Sequence, residues 1–351
     1  MAKILHKSKS RSSASVLLIY TGGTIGMIRD HRTGTLKPVD FQQISDEVPE
    51  IGKFNYRIDV VSFQSAIDSS NMDSEHWVRI AEIIKKNYDR YTGFVILHGT
   101  DTMAYTASAL SFMLENLSKP VVITGAMLPV REVRTDAREN LITAIEIAAS
   151  TDRGKPLIPE VCVYFDYLLF RGNRVTKLNA SKFEAFGSVN HPPLAEAGVH
   201  LRFNRHLILK PTGKKLKLNL GIDPSVGVIR LFPGMTRQWF ANQIRCEGLK
   251  AVVLETYGSG NAPSHDWFLE ELELAARHGL VIVSVSQCRG GMVEQGVYAT
   301  SAGLERIGVI GGADLTTEAA LVKLMHLFGK KLNASQVAKQ MTKVICGELT
   351  A

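Results

Sequence analysis

With 351 residues the chain exceeds the size at which a single hydrophobic core stops growing, so two domains are expected. Hydrophobic residues make up 45% and charged ones 21%, the balance of an ordinary soluble globular protein, and no apolar run approaches the ~20 residues that span a bilayer. A net charge of +7 would suit a nucleic-acid partner, but the cations gather near the start and at Lys210, Lys214, Lys215 and Lys217, both with the composition of solvated segments, so neither a nucleic-acid nor a membrane partner is expected.

In chain order, residues 1–15 read as a flexible basic tail carrying Lys3, Lys7, Lys9 and Arg11. The apolar run at 16–20 passes into Thr21-Gly22-Gly23 with no small-residue cleavage pattern, so it reads as the first core strand of a cytoplasmic protein and not as a signal peptide. The glycine turn Thr21-Gly22-Gly23-Thr24-Ile25-Gly26 has three readings: a tight turn, a dinucleotide loop, or a platform that holds Thr24 out as a nucleophile. The second is disfavoured, because the Gly-x-Gly-x-x-Gly spacing is not met, and a nicotinamide-dependent oxidoreductase goes with it. Residues 27–41 read as an exposed mobile loop and a candidate lid.

A second strand pattern at 57–63 leads to the turn residues Asp68, Ser69 and Ser70, then to a helix at 74–87 with Trp77, Ile80, Ala81 and Ile84 on one face. The apolar segment 93–97 then runs into His98-Gly99-Thr100-Asp101-Thr102, with helical spacing of Ala107, Leu110, Leu114 and Leu117 beyond it. Thr100 or Thr102 could cap that helix, whose free N–H groups favour an anion. Capping does not require an Asp between two threonines, so this turn looks chemical.

A strand at 120–124, a helix at 135–149 and a strand at 161–165 continue the alternation of a parallel sheet flanked by helices. The basic run from Phe170 to Lys177 reads in composition as a solvated strand. Residues 206–225, rich in lysine and punctuated by Gly and Pro, read as a linker between a catalytic domain at 16–205 and a second α/β domain at 226–351. In the second, strands are expected near 226–231, 250–255 and 280–286, with helices near 236–247, 264–278, 315–328 and 333–345. The fold class is therefore α/β, with a larger N-terminal, mostly parallel sheet and a smaller C-terminal domain.

Cys162, Cys246, Cys288 and Cys346 are far apart, and the histidines show no metal-ligand spacing, so no disulfide framework, metal or cofactor is expected. The chemistry rests on hydroxyls and carboxylates in post-strand turns: Thr24, the 68–70 turn, Thr100 with Asp101, and Lys177 from a further segment. A threonine hydroxyl is a weak nucleophile until a base takes its proton. A buried lysine oriented by an aspartate can be that base. Acyl transfer to threonine followed by hydrolysis is the reaction class this set suggests.

Residues 19–26 (Ile-Tyr-Thr-Gly-Gly-Thr-Ile-Gly) and 93–103, with His98-Gly99-Thr100-Asp101-Thr102 at their centre, resemble the two signature motifs of the L-asparaginase family. The tract 104–116, Arg171-Gly172-Asn173-Arg174, Tyr257-Gly258-Ser259-Gly260-Asn261-Ala262-Pro263 and Gly311-Gly312-Ala313-Asp314 resemble the cytoplasmic type I bacterial members. The likeness covers residues 15 to 350. It implies two α/β domains, a tetramer built from close dimers, no cofactor, and conversion of L-asparagine and water to L-aspartate and ammonia. By that resemblance Thr24 is the nucleophile, and Thr100, Asp101 and Lys177 form a second triad. Asp68, Ser69 and Ser70 hold the substrate's α-carboxylate, while Asp101 also takes the α-ammonium.

Two departures stand out. Family members often carry a tyrosine in the loop after the first motif, but residues 25–55 contain none. Some type I enzymes have an activating asparagine site with an arginine just before the Tyr-Gly turn; here that position is Glu255, so weak or absent allostery is expected. The rival readings are the ammonia-releasing subunit of a glutamyl-tRNA amidotransferase and a nonenzymatic amino-acid sensor. The first would carry a domain before the first motif, where about twenty residues are too few for one. The second would need neither nucleophile nor base.

Overall fold

The computed structural model describes residues 3–6, 14–29, 36–38, 41–294, 296 and 299–350. The chain divides into two compact units, Met1–Leu218 and Asn219–Ala351. The first is built on a nine-stranded sheet of β1 (Lys3–His6), β2 (Ser15–Gly22), β3 (Arg57–Ile67), β4 (Gly93–Leu97), β5 (Val121–Thr124), β6 (Val161–Phe165), β7 (Leu168–Arg171), β8 (Ala195–Ala197) and β9 (Leu201–Phe203). Their order is β1-β3-β2-β4-β5-β6-β7-β8-β9. The run β3-β2-β4-β5-β6 is parallel. Both flanks are antiparallel additions.

Every residue of β4, β5 and β6 is buried, as continuous apolar runs demand when helices cover both faces. The registers Tyr20↔Leu97 and Leu97↔Thr124 bring β2, β4 and β5 to an end at one level. Their following turns, at 21–24, 98–102 and 125–127, therefore lie side by side at the carboxyl edge, where open α/β sheets bind ligands. Helices α1 (Phe41–Glu47), α2 (Ser74–Asn87), α3 (Met103–Met113) and α4 (Ala137–Ala149) belong to this unit. In α2, Asp73 caps the first turn, and Trp77, Ile80, Ala81 and Ile84 are buried on the expected face.

Several stretches differ from the sequence expectation. Residues 3–6, within the segment read as a tail, pair antiparallel with β3. Part of the expected loop after the first motif is a hairpin, Met27–Arg29 against Leu36–Pro38; residues 30–35 and 39–40 lie outside the described residues. Helix α3 stops at Met113 instead of Leu117, because Leu114–Glu115 turns out to pair with Lys217–Leu218, and Asn116 takes a left-handed conformation at φ 64°.

The second unit carries a parallel sheet of β10 (Val226–Arg230), β11 (Ala251–Thr256), β12 (Val281–Ser286) and β13 (Ile310–Gly311) in that spatial order. Helices α5 (Arg237–Ile244), α6 (Asp266–Arg277), α7 (Ala299–Ile307), α8 (Thr317–Gly329) and α9 (Ala334–Met341) accompany it. The sequence reading missed α7. The period of two in β11 sends Val252 and Leu254 into a cluster with Phe240, Phe268 and Leu272, and Ala251 and Val253 into one with Leu324, Leu327 and Val337. A fully buried ion pair, Lys323 Nζ to Glu348 Oε1 at 2.6 Å, ties the C-terminal segment to α8. Among the described residues no helix is long and apolar enough to cross a membrane.

Candidate active site

The site is assembled by backbone segments that approach more closely than side chains would allow. Gly22 and Gly23 hold φ of 134° and 90°, conformations that L side chains rarely adopt. A Cβ on Gly23 would lie 2.5 Å from the Gly99 nitrogen, and one on Gly99 would lie 2.5 Å from Ser69 Oγ. The first-motif turn, the His98–Asp101 turn and the Ser69 turn are thus in mutual contact. Thr21 fastens the first two by donating from Oγ1 to the Leu97 carbonyl at 2.8 Å. Thr24, half-buried, opens a single 3-10 turn, Thr24–Gly26, directly after β2. Beneath it the buried Tyr20 hydroxyl donates to the Gly26 carbonyl at 3.2 Å.

Asp68 caps the short 3-10 turn Ser69–Asn71, with Oδ1 accepting from the Ser70 amide at 3.0 Å and the Ser70 hydroxyl at 2.9 Å. Ser69 is buried, and its Oγ accepts from the Asp101 amide at 3.3 Å. Thr102 occupies the N-cap position of α3 but does not cap it: its hydroxyl donates to the Ser69 carbonyl at 2.7 Å. The capping expected of Thr100 or Thr102 is replaced by a brace between the two turns.

Lys177 reaches this cluster from far along the chain. The turn Gly172–Arg174 packs on α3, where a Cβ on Gly172 would lie 3.2 Å from that of Ala107. The strand pair Thr176–Lys177 and Phe186–Gly187 follows. Lys177 Nζ donates to Thr100 Oγ1 at 2.8 Å and to Asp101 Oδ1 at 2.7 Å. Its side chain is 19% exposed and that of Asp101 66%. The basic run leading here is not the solvated strand its composition indicates. Residues 171–175 are buried, because Arg171 pairs with buried Glu160 at 2.6 Å and donates to the Leu207 carbonyl at 2.7 Å.

The structure therefore brings Ser69, Thr100, Asp101 and Lys177 into one hydrogen-bonded set. Asp68 and Ser70 adjoin it through the Ser69 turn, and Thr24 through the contact of Gly23 with Gly99. Sequence reasoning gave no part to His98, which is wholly buried behind this set. Burial lowers its pKa to about 4, against an opposing hydrogen bond to Gly99, so the ring is neutral at neutral pH. Two hydroxyls, a carboxylate and an amine on strand-end turns, with close-packed backbone amides, can fix a small zwitterion and polarise an amide carbonyl.

Fold and site together define a two-unit α/β amide hydrolase. The asparaginase N-terminal family model matches residues 15–209, and the glutaminase/asparaginase C-terminal domain model matches residues 225–341. The chain belongs to the asparaginase family. It is 44% identical to L-asparaginase 1 of Escherichia coli over 96% of this chain and 98% of that protein. It is 41% identical to the 60 kDa lysophospholipase of Mus musculus over 95% of this chain and 62% of that protein. Among solved structures, L-asparaginase I from Vibrio cholerae superposes with a TM-score of 0.87 at 38% identity, covering 97% of this chain and all of that one.

Proposed function

We propose that the chain hydrolyses the side-chain amide of L-asparagine through an acyl-enzyme on Thr24. The observation that carries this reading is Lys177 Nζ within hydrogen-bond distance of both Thr100 and Asp101, on a turn packed against Gly23. Thr24 Oγ adds to the amide carbon, the C–N bond breaks, and nitrogen leaves with a proton as ammonia. Water then cleaves the ester, releasing aspartate and restoring Thr24. Thr100, held by Lys177, moves protons for the hydroxyl or the water. The Thr24 and Thr100 backbone amides serve as oxyanion donors, each worth about 3 kcal/mol of transition-state stabilisation.

Asp101, largely exposed and fixed by Lys177, takes the α-ammonium. The α-carboxylate goes to the Ser69–Ser70 turn. Asp68 repels a carboxylate, so its part there is to lock that turn through its two bonds to Ser70. Fixing both ends of the zwitterion converts binding into orientation of the amide. A cytoplasmic homotetramer belongs to the same proposal, as does weak or absent activation by asparagine. Where the expected arginine is missing, Glu255 instead accepts hydrogen bonds from Arg230 at 3.2 Å and Thr317 at 2.7 Å.

The test is ammonia release from L-asparagine and L-glutamine over a concentration series by wild type and Thr24→Ala. Wild-type turnover of asparagine, lost in Thr24→Ala, is expected. Retention of wild-type kcat in the variant would remove Thr24 from the mechanism, and silence toward both amides would remove the activity. A tRNA gel shift separates the amidotransferase-subunit reading. Likeness to the murine relative favours a second reading, ester hydrolysis, which a lysophospholipid substrate in the same series tests.

A further inference from the structure

Behind the catalytic turn, a chain of hydrogen bonds has only one direction open to it. His98 Nδ1 lies 2.6 Å from the Gly99 carbonyl oxygen, which can only accept, so Nδ1 carries the proton. The neutral ring then presents a lone pair at Nε2, 2.9 Å from Thr106 Oγ1, and the Thr106 hydroxyl must donate to it. Trp77 Nε1, which can only donate, completes the chain at 3.0 Å from Thr106 Oγ1. The polarity is Trp77 to Thr106 to His98 to Gly99. Trp77, Thr106 and His98 are all buried, so water does not compete for these groups.

The far end of this chain is the peptide that links Gly99 to Thr100. In a trans peptide the C=O and N–H point in opposite directions. Holding the Gly99 oxygen against the imidazole therefore holds the Thr100 N–H pointing away from it. Among the described residues that amide has no acceptor. We infer that His98 is a positioning residue: with its Nδ1 proton on the Gly99 oxygen and its ring anchored at Nε2 by Thr106, it aims the Thr100 amide at the carbonyl oxygen of the substrate. The inference rests on the amidohydrolase reading above and adds to it a group that never touches substrate.

The directionality separates this role from plain packing. Thr106→Val leaves Nε2 without a donor and the Trp77 indole without an acceptor; the ring then loses one of its two anchors, and with it the fixed direction of its bond to the Gly99 oxygen. The expected result is a 10- to 100-fold fall in kcat with KM within about threefold of wild type, a fraction of the loss for a whole oxyanion donor. Thr106→Ser keeps the hydroxyl and is expected within about threefold of wild type in both constants. Trp77→Phe removes a donor upstream but leaves the Thr106 hydroxyl donating to Nε2, so kcat is expected to hold while stability falls. In the wild-type protein labelled with 15N-histidine, with His98 assigned from a His98→Asn variant, the ring should be neutral with its proton on Nδ1.

A proton on Nε2, wild-type kcat in Thr106→Val, or failure of Thr106→Ser to restore kcat would each overturn the inference. The labelling measurement needs neither activity nor a folded Thr106→Val protein. If the wild type releases no ammonia, the amidohydrolase reading fails by itself, and the role of His98 in its reaction fails with it.

Discussion

Replacing Lys177 sets stability against catalysis. In the structure its ammonium makes two bonds, to Thr100 and to Asp101. The ion-pair partner Asp101 is 66% exposed, so solvent screens the pair and its contribution to stability is at most about 1 kcal/mol. The bond to the Thr100 hydroxyl adds about 1 kcal/mol more. Lys177→Met keeps the stem and removes the charge, and should lower stability by no more than about 2 kcal/mol. Its cost to proton transfer is larger: general acid–base groups contribute about 10²- to 10⁴-fold, or about 3 to 5 kcal/mol of barrier. Ammonia release at saturating asparagine gives kcat, and urea unfolding gives the stability of the same preparations. Lys177→Arg decides between base and bare charge, because a guanidinium stays protonated at working pH. Arg as inactive as Met supports proton transfer. Arg restoring most of kcat, or Met retaining more than a tenth of it, would refute the role given to this side chain.

Gly23→Ala would force a φ of 90° on a residue with a side chain and set its Cβ 2.5 Å from backbone. A loss of at least about 2 kcal/mol in urea unfolding is expected, together with loss of ammonia release, because the first-motif turn must back away from Gly99. The pH dependence of stability should carry the mark of His98. Its folded pKa of about 4 lies below the ordinary 6.5, so the unfolded chain takes up the proton first. The contribution is fully present above pH 6.5 and about 3 kcal/mol of it is lost as pH falls toward 4. Urea midpoints from pH 7 to 4 for wild type and His98→Asn should therefore converge toward the acid end. Lys323→Met strands Glu348 in a wholly buried site, and a loss of about 3 to 5 kcal/mol is expected. The double variant with Glu348→Gln keeps an acceptor for the Ile345 and Cys346 amides and should recover part of that loss, read from the same unfolding curves.

What could be read from the chain alone follows from range. The strands at 93–97 and 120–124 announce themselves because continuous apolar runs this short, bounded by turn residues, fit a strand covered on both faces better than a helix. The turn after each is local, so Thr24, the 68–70 turn and the Thr100–Asp101 pair were visible as strand-end chemistry. Lys177 was not visible by that means. Its arrival depends on an antiparallel strand, a glycine turn seated on α3 and a buried Arg171–Glu160 pair formed across the β6–β7 hairpin, none of which leaves a periodic signal. Family likeness supplied Lys177; composition argued the other way, since a run containing Arg171, Arg174 and Lys177 looks solvated. His98 went unread for a similar reason. Thr106 lies eight residues on and Trp77 twenty-one back, and only the packing of α2 beside α3 makes them its partners.

The chemistry of this unit is ultimately a matter of register. A strand shifted by one residue reverses every side chain it carries. Were β4 to slip by one against β2, the 98–102 turn would move about 3.3 Å along the sheet, and the contact of Gly23 with Gly99 would be lost. Two side-chain hydrogen bonds, and not burial, resist such a slip. The buried runs 93–97 and 121–124 find apolar surroundings on both faces, so burial alone would tolerate the shift. The side-chain bonds from Thr21 to the Leu97 carbonyl and from Thr102 to the Ser69 carbonyl would not, because each matches one donor to one acceptor at a single alignment. Thr21 and Thr102 then have a part distinct from Thr24 and Thr100: they fix the alignment on which the proposed roles of the other two depend.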